Sequence, residues 1–265
     1  MSGAAPDLTL LIPCFNEGER IDRCATALAA WAGRRPEITL EVLFVDDGST
    51  DDTPRRLQRA ARQLPCARVL ALSRNLGKGG ALKAGMAEAR GATVLFLDAD
   101  LAVDLSHVDR ALQLRAEGAD LVVGCRNIAG AHVERRQRWP RRWLGRGYRW
   151  LARRWLGLRV PDVTCGFKAF RREAGQSLFA HATAARWGFD AEVLFLAQRA
   201  RLDIRSLPVR WYDGEASAVR LRRDVGGALR ELLGVRWRHR RGRSALPKAA
   251  TPQPSRVPAG TLRDG

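Results

Sequence analysis

Val94-Leu95-Phe96-Leu97 runs straight into Asp98-Ala99-Asp100. Four apolar residues without a charge predict a strand buried on both faces, the kind found inside parallel sheets. Asp98 and Asp100 then lie at its carboxyl end, where open α/β sheets bind their ligands. Residues two apart point the same way from a strand. Two hard oxygen donors on one side suit Mg²⁺ or Mn²⁺ held jointly with a substrate phosphate. Taken alone, a strand followed by an Asp-rich turn accounts for the same residues.

The flanking chain repeats the pattern. Leu8 to Pro13, Leu40 to Val45, Arg68 to Leu72 and Leu121 to Gly124 read as further strands. Helical periodicity separates them, over roughly Glu19 to Ala32, Thr53 to Gln63, Lys78 to Ala89 and Leu105 to Glu117. Thr50 or Asp51 can cap the second helix, with Pro54 in its first turn. The β-α alternation implies an α/β fold, a mostly parallel, doubly wound sheet with helices on both faces. Polar clusters follow four of the five strands and so share one edge. They are Cys14 to Gly18, Asp46 to Asp51, Asp98 to Asp100 and Cys125-Arg126. The turn Ser73 to Gly80 is Gly-rich but lacks the spacing of a phosphate-binding loop. It can offer backbone N–H groups to a phosphate, or simply be a tight helix entry.

From Val133 to Val160 the chain changes character. Trp143, Gly147, Trp150, Leu151, Trp155 and Leu158 recur at three- and four-residue steps, and Arg142, Arg146, Arg149, Arg153 and Arg154 fill the remainder. An apolar Trp face beside an Arg face describes an amphipathic interfacial helix on a membrane, or a core-packing helix with a solvated basic side. Ile204 to Trp211 alternates like a strand, and Arg220 to Arg238 reads as a basic helix packing by Leu229, Leu232 and Leu233. From about residue 241 to 265 the chain is Pro-, Ala-, Ser- and Arg-rich without periodicity, the signature of a disordered basic tail. The expected organisation is one domain over 1–240. Its nucleotide-binding half is about 8–126 and its acceptor and membrane half about 127–240.

The formal charge is +18, and Lys78, Lys83, Lys168 and Lys248 are the only lysines, so the excess is Arg. Such a balance points to polyanionic partners, though an Arg- and Ala-rich chain can also reflect base composition. The five cysteines carry no metal spacing and suit free thiols in a reducing compartment. No apolar leader opens the sequence and no run of eighteen apolar residues crosses a membrane. The expected location is cytoplasmic, peripheral on the cytoplasmic face of the membrane. A basic protein with an acidic strand edge fits a metal–nucleotide diphosphate better than nucleic acid, which gives Asp98 and Asp100 no role.

Eight stretches in order carry a resemblance: IPCFNEGERI, VDDGSTDDT, NLGKGGALKAG, FLDADLA, GCR, DVTCGFKAF, WGFDAEVLFLAQR and LPVRWYDGEASAV. Across roughly residues 8 to 240 the chain resembles family 2 glycosyltransferases of the GT-A fold, of the polyprenyl- or dolichyl-phosphate β-glucosyltransferase type. The resemblance implies that Pro13, Phe15 and Glu17 line the nucleotide pocket and that Asp47 contacts the base. Asp98, Ala99 and Asp100 would place the metal and the donor's ribose and diphosphate. Lys78 and Lys168 join the substrate-binding set. Arg126 would bind phosphate, and Arg141 would do so for the acceptor. Ser217 belongs to a donor-phosphate motif that ends here in Ala218 instead of a cation, so either Arg220 would substitute or the donor-phosphate contact would be weaker. The implied reaction is inverting transfer of a sugar, glucose first, from a UDP-sugar to a lipid phosphate, with Mg²⁺ or Mn²⁺. A hydroxyl acceptor, or mannose from GDP-mannose, is the alternative. A phosphomonoester with a second pKa of ~6 is nucleophilic without a base. A hydroxyl needs one, and Asp190 or Glu192 would supply it, unless they orient Lys168 or cap the following helix. The sugar, the lipid, the ion and the oligomeric state stay open.

Overall fold

The computed structural model describes residues 5–134, 139–212 and 221–240; the side chains of 139–142 and 221–225 are outside that description. The first half follows the expected alternation. It comprises β1 (Leu8–Cys14), α1 (Glu19–Gly33), β2 (Leu40–Asp46), α2 (Thr53–Gln63), β3 (Ala67–Ala71), α3 (Lys78–Glu88), β4 (Thr93–Leu97), α4 (His107–Ala116) and β5 (Leu121–Cys125). The second half adds β6 (His132–Val133), α5 (Trp139–Leu156), β7 (Phe167–Arg171), α6 (Arg172–His181), α7 (Phe189–Arg199), β8 (Ile204–Pro208), β9 (Arg210–Trp211) and α8 (Leu221–Arg238).

Seven strands form one sheet in the order β3-β2-β1-β4-β7-β5-β8, and all pairings but those of β7 are parallel. Successive β1 residues feed opposite faces, as a strand requires: Leu11 joins one core, Leu10 and Ile12 the other. The first core lies under α3, α5, α6, α7 and α8, the second under α1, α2 and α4. The result is a three-layer α/β/α architecture.

Three expectations need correction. The segment Phe167–Arg171, read only as a motif, is the antiparallel strand β7 inserted between β4 and β5. Its signal was masked by Lys168, a buried charge within an otherwise apolar run. The single strand expected over Ile204 to Trp211 is two. β8 extends the main sheet, and β9 leaves it after Pro208 to pair with β6. The Trp/Arg helix does not gather its tryptophans on one face. Leu151, Ala152, Trp155 and Leu156 pack into the core, whereas Trp143 and Trp150 are 66% and 68% exposed on the opposite side. The residues one heptad apart, 143 and 150, share a face; 155 is turned away from them. Likewise α8 packs by Ala228, Leu232 and Val235, and Leu233 faces outward. All five cysteine thiols are free, four of them buried. Among the described residues no helix is long and apolar enough to cross a membrane. The segment 241–265 lies outside the described residues.

Candidate active site

The carboxyl ends of β1, β2, β4 and β5 bring the polar clusters together. After β4 the chain turns tightly: Leu101 N–H donates to the Asp98 carbonyl at 3.0 Å, with Leu101 at φ +48°. Ala102 N–H donates to Asp100 Oδ1 at 3.0 Å. This turn leaves Asp98 half-buried and Asp100 on the exposed side though partly desolvated, and buries Ala99 between them. Antiparallel pairing sets Leu97 opposite Phe167, which places Gly166 beside Asp98. A Cβ on Gly166 would stand 2.8 Å from Asp98 Cγ, and nearer still to Oδ2. A side chain at 166 would push that carboxylate from its place.

Lys78, the first residue of α3, forms an ion pair with Asp98 Oδ1. Burial pulls its pKa down, but the charges of Asp98, Asp190 and Asp100 outweigh that and leave it raised. Glu17 completes an acidic rim. Burial raises its pKa, Arg20 at 2.7 Å opposes, and Asp100 and Asp98 raise it further. Asp100 is raised by burial first and then by Asp98. Carboxylates that hold each other's protons more tightly mark a surplus of negative charge. Asp98 and Asp100 fit a hard divalent ion in ligand type and spacing. Among the described residues no cluster of three or more His, Cys, Asp or Glu forms a ready-made metal site. An ion here would therefore complete its shell with substrate oxygens and water.

The neighbouring loops are tied to one another. Thr53 Oγ1 accepts from Glu17 N–H at 2.8 Å and Gly18 N–H at 2.9 Å, and Thr50 N–H donates to Asn16 Oδ1 at 2.9 Å. These bonds fix the loop that presents half-buried Pro13, exposed Phe15 and Glu17. Asp47 has backbone partners that its sequence position did not forecast. It is buried, and its two oxygens accept from Leu76 N–H at 2.7 Å and Gly77 N–H at 2.8 Å. Burial raises its pKa and these bonds oppose the rise. Asp47 thus anchors the Gly-rich turn, and those two N–H groups do not point at a phosphate. Gly77, at φ +84°, permits the sharp entry into α3.

Arg126 lies at the end of β5 with its charge already engaged. Its Nε and Nη2 hold Asp162 at 2.7 and 2.9 Å, and Nη2 also donates to Thr164 at 2.9 Å. Burial pushes the Asp162 carboxyl up, but the Arg126 bonds and charge outweigh it and hold it at about 2. The guanidinium stacks on Trp211, 5.4 Å to the ring centre. Arg126 therefore does not present a free two-pronged fork; one face of it is spent on Asp162. Arg149 of α5 lies in the same field. Burial lowers its pKa, Asp162 opposes, and Arg126 and Arg146 lower it further, a crowding of cations. Asp162 and Gly166 were not singled out from the sequence as site residues. Both belong to the DVTCGFKAF stretch, which was the available signal.

Asp190 and Lys168 pair at 2.6 Å, and Lys168 also donates to the Cys165 carbonyl at 2.7 Å. Both are buried. Burial raises the Asp190 pKa against the opposing charges of Lys168 and Lys78. This geometry pairs Asp190 with Lys168, as the orienting role weighed for it beside a basic one requires. Glu192 is structural. Its carboxylate accepts from Thr183 N–H, Thr183 Oγ1 and Ala184 N–H at 2.9, 2.8 and 2.6 Å, and meets His239 Nε2 at 2.6 Å. Ser217, Arg220 and the Ala216 to Ala218 motif lie outside the described residues, as does the side chain of Arg141.

Solved structures of the same shape include glucosyl-3-phosphoglycerate synthase from Mycobacterium tuberculosis. Its complex with uridine diphosphate superposes with a TM-score of 0.64 at 22% identity, over 92% of this chain and 82% of that one. A complex of that enzyme with Mn²⁺, UDP and glucosyl-3-phosphoglycerate gives 0.62 at 22% identity, with the same coverage. At that identity the likeness speaks to the fold, which is GT-A. Among curated proteins, dolichyl-phosphate beta-glucosyltransferase ALG5C of Trichomonas vaginalis is 34% identical over 215 residues, 77% of this chain and 63% of that protein. Dolichyl-phosphate beta-glucosyltransferase of Drosophila melanogaster is 34% identical over 227 residues, 80% and 68%. The chain thus spans about two thirds of the length of these relatives. The family model for glycosyl transferase family 2 matches residues 9–179, from the first strand through the acidic turn after β4 to α6. Sheet order, acidic turn and family match coincide on the same segment, and the chain belongs to glycosyl transferase family 2.

Proposed function

We propose that the protein transfers glucose from UDP-glucose, with inversion, to the phosphate of a polyprenyl or dolichyl lipid at a membrane surface. The observation that carries this reading is the acidic turn Asp98-Ala99-Asp100 at the sheet edge, facing Lys78 and Glu17. The names of the relatives support the acceptor and the sugar. The neighbour's complexes with UDP and Mn²⁺ support the donor and the ion.

Asp98 and Asp100 would hold Mg²⁺ or Mn²⁺, which supplies charge neutralisation for the departing diphosphate. Lys78 sits within reach of the same charge. Pro13, Phe15 and Glu17 line the nucleotide side, and Ala99 packs beneath the donor. The acceptor phosphate fits the cationic corner of Arg126 and Arg149, with Arg141 as a further candidate, and Arg220 belongs to the donor side. The Tyr148 hydroxyl, buried with no hydrogen-bond partner among the described residues, lies in the field of Asp190 and Glu231 and is a free donor there. A phosphate acceptor arrives as a nucleophile, so the chain's task is positioning and charge stabilisation. Asp190, bound to Lys168, then needs no basic role. Ser217 would contact the donor phosphate.

Trp143 and Trp150 project from α5, and Trp237 is 70% exposed on α8, each helix being Arg-rich. These exposed rings and cations suit the headgroup zone of an anionic bilayer, which supports the reading of a peripheral protein on the cytoplasmic leaflet. The test is incubation with UDP-glucose, UDP-galactose, UDP-N-acetylglucosamine and GDP-mannose plus polyprenyl phosphate, scoring butanol-extractable sugar with and without EDTA. Glucose transfer abolished by EDTA is the expected result. Absence of lipid product alongside transfer to a hydroxyl acceptor overturns the reading, and loss of that transfer in Asp190→Asn would assign the base.

A further inference from the structure

The backbone of Lys78 is held by its own helix entry, and its side chain is held only through the ammonium, on Asp98. Gly80 N–H donates to the Ala185 carbonyl at 2.9 Å. A Cβ on Gly79 would collide with Phe189 Cβ at 2.8 Å, so α3 begins pressed against the 184–189 segment. Gly77 N–H is held by Asp47. A cation in the first turn of a helix opposes the helix dipole, so Lys78 is not there for the helix. Its ammonium lies on Asp98 instead, with Asp190 and Asp100 nearby. Asp190 already has Lys168 at 2.6 Å. The carboxylate that Lys78 covers is therefore one of the two that fit the divalent ion. A lysine, with a flexible stem and rotatable donors, can leave such a partner for another anion more readily than a forked arginine.

We propose that Lys78 is a resident counter-cation of Asp98, which the divalent ion must displace and which moves onto the donor diphosphate when the nucleotide arrives. The inference rests on the reading of Asp98 and Asp100 as the ion's ligands. Its consequence is energetic coupling. The ion alone binds weakly, because its entry strands the lysine beside a like charge. The nucleotide supplies a new partner for the lysine and so favours the ion, and by linkage the ion favours the nucleotide equally.

Mn²⁺ binding is measured by electron paramagnetic resonance of the free ion, without nucleotide, on the wild-type protein, Lys78→Met and Lys78→Gln, with Asp98→Asn as control. Thermal melts establish that each variant is folded. Removing a unit charge from within a few ångströms of the site should tighten Mn²⁺ alone by about tenfold or more. The same variants should bind UDP more weakly in saturating Mn²⁺. Mn²⁺ that binds the folded variants no more tightly than the wild type overturns the lysine inference while leaving the ion reading intact. No Mn²⁺ binding to wild type or variants, with or without UDP, overturns both.

Discussion

Replacing Gly166 with alanine should inactivate the protein while leaving it folded. The added methyl would stand 2.8 Å from Asp98 Cγ, where ordinary contact begins near 3.4 Å. The carboxylate carbon must retreat by about 0.6 Å and Oδ2 by more, a displacement on the order of 1 Å. Asp98 has room to do so, since its side chain is about one-third exposed and its ion-pair partner is the end of a flexible lysine side chain. Stability should therefore fall by less than about 1 kcal/mol, far below the ~1–3 kcal/mol of a true core overpacking. Catalysis has no such tolerance, because a ~1 Å misplacement of a reacting or metal-holding group costs about 10²-fold in rate. The assay is the initial rate of glucose transfer at saturating Mg²⁺ or Mn²⁺, alongside urea unfolding. Gly33→Ala is the control, since a Cβ there meets nothing within 4 Å. Wild-type turnover by folded Gly166→Ala would refute the argument that this close approach positions Asp98. So would a loss of several kcal/mol, which would mean that Asp98 cannot yield.

Asp162 is held at about 2 because the Arg126 bonds and charge outweigh its burial, so its contribution of about 2 kcal/mol is present above the ordinary carboxylate value and disappears as pH falls from about 4 through 2. Asp162→Asn should flatten that part of the stability profile and cost about 3 kcal/mol at neutral pH by leaving a buried guanidinium short of its counter-charge, measured by urea unfolding across pH. Glu192→Ala removes the acceptor of two backbone N–H groups and one hydroxyl in the 183–184 segment and should cost about 2–4 kcal/mol, with faster hydrogen exchange there. Trp143→Ala with Trp150→Ala should leave the melting temperature within error, because both rings are mostly exposed, yet weaken sedimentation with anionic vesicles by about tenfold or more. Unchanged vesicle binding would remove α5 from the membrane contact.

The amino-acid sequence determined the alternating strands and helices of the first 125 residues and the edge on which their polar ends meet. Each is a local pattern: a short apolar run for a buried strand, 3.6-residue periodicity for a helix, carboxylates just past a strand's end. Asp98, Asp100 and Glu17 were legible on one edge because right-handed parallel winding delivers these strand ends to the same side, whereas Lys78 entered through the family resemblance. The tertiary structure decided what no local window contains. β7 depends on Lys168 being neutralised by Asp190, twenty-two positions away. Arg126 finds Asp162 thirty-six positions later and Asp47 holds the backbone of the Gly-rich turn, partners that no local window shows. The tryptophans of α5 divide into packed and exposed only once α8 and the core claim one side of the helix. In every such instance the partner of a charge or ring is chosen by distant chain brought near in space, and burial makes that choice binding because an unpaired charge cannot stay in a dry interior.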